Sequence, residues 1–171
     1  MITPKIILLL INLLGGVAVI GSYVAGLSAK HGGAAALWGA TPGSIRPFYT
    51  VSMVLAALGY FAFIYFILFR LSPESGRFNL FYLIFLGILV PSAFWMPLTN
   101  MYLANPILAT WILIRVVLAI VGISSLVLAL VLLGLHVKEG GLAYALAVAG
   151  SFYFAFHTLV LDAVFWPILF K

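Results

Sequence analysis

The sequence predicts an all-α, multi-pass membrane protein: one bundle of five transmembrane helices. Three observations carry this. Apolar residues make up 66% of the chain and charged residues only 6%, against about 25% charged in an ordinary soluble domain. The apolar residues fall into five blocks, each close to the roughly 20 residues that a helix needs to cross a bilayer. Val116–Leu135 is apolar on every face, whereas a β-barrel strand would alternate apolar and polar positions. The predicted spans are 6–27, 48–69, 80–98, 107–135 and 142–170, with a long first loop at 28–47. Residues 1–171 then read as a single domain, with little left for a second.

The first block is longer than the apolar core of a signal peptide and runs into a Gly/Ala-rich loop, so it reads as a retained helix. Its Ala18, Ser22 and Gly26 form a small face at four-residue spacing. The fifth block repeats the device with Ala143, Ala147, Ser151 and Ala155. These faces fit internal helix packing or the seam of a homodimer. The first loop holds Gly32, Gly33, Gly39, Gly43, Pro42 and Pro47 around Trp38, and Ala34–Trp38 suits a short helix on the bundle mouth. Loops of this length are often lids or binding loops. Pro91 falls inside the third block and predicts a kink there. Pro97 near its end suits either a bend or a stop. Pro106 suits the first turn of the fourth helix.

The net charge of +5 is scattered over eight basic residues, which suits helix ends near lipid headgroups and makes no nucleic-acid patch. Lys5, Arg70, Arg77 and Lys138 fall on one side, and Lys30, Arg46 and Lys171 on the other, a four-to-three bias toward an inside N-terminus. The absence of cysteine excludes disulfides and thiolate chemistry. His31, His136 and His157 are dispersed, and His157 has no acidic residue or second histidine at i±3 or i±4. No metal site, Ser-His-Asp spacing or carboxylate pair is expected, and no catalytic residue is assigned.

Inside the blocks, Arg115 and Asp162 carry the full charges, at roughly 2.5–3.5 kcal/mol each on insertion scales. The fourth and fifth blocks form a hairpin turning near Lys138–Glu139. Arg115 lies 23 residues before Lys138, and Asp162 lies 23 residues after Glu139. Equal depth predicts an Arg115–Asp162 ion pair, either a register lock or the polar floor of a pocket. Antiparallel threading brings Tyr49, Trp95, Asn100 and Trp111 to the same end, beneath the long loop. An apolar pocket with a few converging polar groups is the expected pattern of a ligand site.

Several short segments carry a family likeness. Leu58-Gly59-Tyr60 with Phe63 in the second block, Trp95-Met96-Pro97-Leu98 in the third and Leu161-Asp162-Ala163-Val164-Phe165-Trp166 in the fifth appear in order, with Trp38, Pro42 and Pro47 ahead of the second. In these segments and in its topology the chain resembles the translocator-protein family, the tryptophan-rich sensory proteins. Ser92 and Asp162 stand where that family has asparagines, the loop lacks its Lys-Pro pair, and Arg115 stands near where the fourth helix usually has an acidic residue. The resemblance implies a binder of tetrapyrroles (heme or protoporphyrin) or sterol-like lipids, with Trp38, Trp95, Asp162 and Trp166 in the pocket and Arg115 able to pair with a propionate.

The candidate ligand-binding residues are thus Trp38, Tyr49, Trp95, Asn100, Arg115, Asp162 and Trp166. No cofactor is required by any motif. The expected partners are membrane lipid and a hydrophobic small molecule, with a homodimer open and no nucleic acid. The alternative reading is a non-catalytic structural or accessory subunit of a larger membrane complex.

Overall fold

A computed structural model describes residues 3–28, 33–75, 77–135 and 141–170. The predicted turn at Lys138–Glu139, as well as Lys30, His31, Gly32, His136 and Lys171, lie outside the described residues. Among the described residues five helical spans are long and apolar enough to cross a membrane: Pro4–Leu27, Arg46–Arg70, Phe78–Ala104, Leu108–Leu133 and Gly141–Phe170. The predicted all-α five-helix class is what the structure has.

The first span is α1 (Pro4–Leu27), opened by a proline in its first turn, where the missing N–H costs nothing. A single short turn, α2 (Ala34–Leu37), forms at the bundle mouth. The second span is α3 (Arg46–Tyr65), continued by a π-helical turn over Phe66–Arg70. The third, α4 (Phe78–Ala104), runs longer than the predicted 80–98 because Pro97, like Pro91, is accommodated inside the helix rather than ending it. The fourth, α5 (Leu108–Leu133), begins two residues after Pro106, which therefore sits ahead of the first turn. The fifth span consists of α6 (Gly141–Ala155), ten π-helical residues over Phe156–Phe165, and α7 (Trp166–Phe170). That wide-turned stretch departs from the predicted regular helix.

Around the bundle, α1 packs on α4, α4 on α5, α5 on the fifth span, and the fifth span on α3. The circuit closes weakly, because α1 meets the second span mainly at its π-helical end. A hydrogen bond from the Tyr60 hydroxyl to Asn12 Oδ1 joins α1 and α3 midway. The small face of the fifth span is turned inward, with Ala147, Ser151 and Ala155 all buried. Close approach follows: a Cβ on Gly150 would lie 2.8 Å from the Gly59 Cα. Two cores result. One gathers Leu8, Phe63, Phe66, Phe81, Phe85 and Leu132, and the other Trp111, Ile114, Leu118, Trp166 and Phe170.

The first loop is strapped to the end of the fifth span. The Ala40 N–H donates to the Phe170 carbonyl at 3.3 Å, and the Trp166 indole N–H donates to the Leu37 carbonyl at 3.0 Å. Gly39 makes this contact possible. Its φ is +50°, and a Cβ there would lie 2.9 Å from the Phe170 Cα.

Candidate ligand-binding cavity

Beneath the loop lies a cavity of about 510 Å³, walled by all five spans and by α2, within the usual range for small-molecule sites. Its lining is mostly apolar. Pro91 on α4 contributes a wall residue where the helix lacks a backbone donor. Aromatic rings make the upper walls: Tyr23 and Trp95 are 5.5 Å apart, Trp95 and Trp166 meet edge to face at 5.5 Å, and Trp38 meets Tyr49 edge to face at 6.0 Å. These separations fall in the range that favours aromatic contact. The walls Leu27, Met53 and Phe61 are also exposed on the outer surface, so the cavity is not sealed where α1 and α3 separate.

Five of the seven predicted residues, Trp38, Tyr49, Trp95, Asp162 and Trp166, line this one cavity. Tyr49 is held by its hydroxyl, which donates to the Leu161 carbonyl at 3.1 Å. The Trp95 indole N–H is buried and meets no acceptor. Asn100 is elsewhere: its amide donates to the Gly26 carbonyl at 3.2 Å, tying α4 to α1, and it does not line the cavity.

Arg115 is also outside. It is exposed on α5, does not line the cavity and makes no ion pair with Asp162. This corrects the predicted pair. The hairpin arithmetic fixed depth but not azimuth, and the inward face of α5 belongs to Ile114 and Leu118.

The partner of Asp162 is His157, with Nε2 3.6 Å from Oδ2. His157 Nδ1 is 2.9 Å from Ser52 Oγ, and the Tyr153 hydroxyl donates to Ser52 Oγ at 3.2 Å. For a neutral imidazole facing an ionised carboxylate, Nε2 carries the hydrogen and Nδ1 accepts from Ser52, whose oxygen accepts from Tyr153. The line Tyr153–Ser52–His157–Asp162 thus fixes the ring and aims it at the carboxylate.

The sequence reading missed His157 for a geometric reason. Five residues on an α-helix turn through about 140°, so Asp162 is on another face. The π-helical stretch bonds i to i+5 and stacks the two residues. The structure also corrects the expectation that no Ser-His-Asp constellation exists. Ser52, however, is 1% exposed and off the cavity wall. Its hydroxyl is closed in, and the assembly positions His157 and Asp162 rather than presenting a nucleophile.

Polar capacity in the cavity is therefore concentrated. The Ser92 and Thr158 hydroxyls donate to carbonyls of their own helix turns, Ile88 and Phe154. The Asp162 side chain remains one-third exposed, against 8% for that of His157.

Comparison with known protein families, with curated proteins and with solved structures finds no match to this chain.

Proposed function

We propose that this membrane protein binds an apolar small molecule of the tetrapyrrole or sterol-like class in the cavity beneath the first loop. The observation that supports this most is the convergence of Trp38, Trp95, Trp166 and Asp162 on one cavity of about 510 Å³. These are the four positions for which the resemblance to translocator proteins implies a pocket role. A flat apolar ring system would lie against the aromatic walls. The opening between α1 and α3 faces the hydrocarbon from which such a ligand would partition.

The test is titration of the purified protein in detergent with protoporphyrin, and separately with a sterol as competitor, read by tryptophan fluorescence. Saturable quenching weakened in Trp95→Phe and in Trp38→Phe is expected. Saturable quenching unchanged in both variants would refute the cavity as the site.

A second reading, an accessory subunit, draws on Arg115, a charge exposed on a membrane-spanning helix. Such residues usually face protein or water. Absence of ligand binding together with a co-purifying membrane partner lost in Arg115→Leu would favour it.

A further inference from the structure

We propose that the cavity selects apolar molecules carrying one amine cation, with Asp162 as the anchoring group. This rests on the cavity being a ligand site, and it narrows the ligand class.

Among the described residues the wall contains no lysine and no arginine, and Asp162 is its one carboxylate. The chain's +5 net charge therefore lies elsewhere. Arg46 at the mouth is committed to the loop: its Nε and Nη2 both donate to the Thr41 carbonyl at 3.1 Å, and it sits 5.7 Å over the Trp38 ring. His157 is engaged at both nitrogens, by Ser52 and by Asp162 itself. An anionic ligand group would find no free cation at the cavity floor and would meet a carboxylate. A neutral apolar ligand would leave that carboxylate desolvated, with one contact at 3.6 Å, which is long for a charge-assisted hydrogen bond. An ammonium group supplies the positive charge that this environment lacks and donates to the carboxylate at the same time. Low local polarity strengthens that attraction, and tryptophans lining the same cavity are ring systems that attract cations.

The experiment uses the full-length protein in detergent and three probes built on one sterol ring system, bearing an amine, a hydroxyl or a carboxylate at the same position. Binding is read by tryptophan quenching. The expected order is amine, then alcohol, then acid, with the amine at least tenfold tighter than the alcohol. Asp162→Asn should abolish that margin, and Asp162→Glu should retain part of it. Equal binding of all three probes, or tightest binding of the acid, overturns the amine preference while leaving the cavity as a ligand site. Saturable binding of none overturns the amine preference and the sterol-like reading of the cavity together, while protoporphyrin quenching tests the cavity independently. The wild-type series stands by itself if Asp162→Asn fails to fold.

Discussion

Replacing Gly39 with alanine should release the first loop from the bundle without disturbing the five spans. Two costs add. A φ of +50° costs an L-residue about 1–2 kcal/mol. The new Cβ would lie 2.8 Å from Phe170 Cδ2 and 2.9 Å from its Cα, well inside ordinary carbon contact, and such overpacking costs about 1–3 kcal/mol. The loop relieves both by detaching, which breaks the Ala40–Phe170 and Trp166–Leu37 hydrogen bonds. Even the lower total, about 2 kcal/mol, raises the detached population roughly 30-fold. Hydrogen exchange resolved to the Ala40 amide, which donates to the Phe170 carbonyl, reads that population directly. That amide should exchange about 30-fold faster than in the unaltered protein, while amides within α5 stay protected. Gly43→Ala is the control, because a Cβ there meets nothing within 4 Å and its φ is not positive. Unchanged exchange in Gly39→Ala, or equal acceleration in Gly43→Ala, would refute the account of the loop strap.

Three further outcomes follow from the packing and the polar line. Gly150→Ala drives a methyl into the α3 backbone near Gly59 and should destabilise the protein by about 1–3 kcal/mol, seen as a lower thermal midpoint in detergent; an unchanged midpoint would mean the two helices are not in close contact. Ser52→Ala leaves His157 Nδ1 buried without its partner, at a cost of about 1–3 kcal/mol, measured by the same melt. Arg115→Leu should stay within about 0.5 kcal/mol, and exchanging the charges of Arg115 and Asp162 should rescue nothing. Rescue by the double exchange would restore the ion pair that the structure replaces with His157–Asp162.

Sequence legibility divides along a physical line. The five spans were readable because hydrocarbon enforces one requirement on every residue they contain, and long apolar blocks without the alternation of a barrel strand meet it as helices. The cavity's aromatic walls were readable because Trp38 sits in the first loop and Tyr49, Trp95 and Trp166 lie toward the span ends that the up-down order brings beneath that loop. Azimuth was not readable: Arg115 and Ile114 are neighbours in sequence, yet one is exposed and the other fully buried. Nor was the change of helix pitch. The relation between His157 and Asp162 depends on ten residues winding at i to i+5, and every pattern rule applied to them assumes the α-helical turn.

The π-helical stretch and the cavity are best understood together. A wider turn exposes more backbone and packs less well than an α-helix, so it persists where other contacts hold it. Here Tyr49 reaches across from α3 to the Leu161 carbonyl inside that stretch, and Ser52, one turn further along α3, takes His157. Both anchors come from one face of α3, and both bond to groups that the wide turn presents. Asp162 consequently faces the cavity beside His157, which also lines it. A charge that hydrocarbon would penalise by roughly 2.5–3.5 kcal/mol is thus held by contacts on its protein side and left one-third exposed on its cavity side. A residue serving only to lock helix register needs no such opening. The exposed side of Asp162 is what a register lock leaves unexplained and the proposed ligand site accounts for.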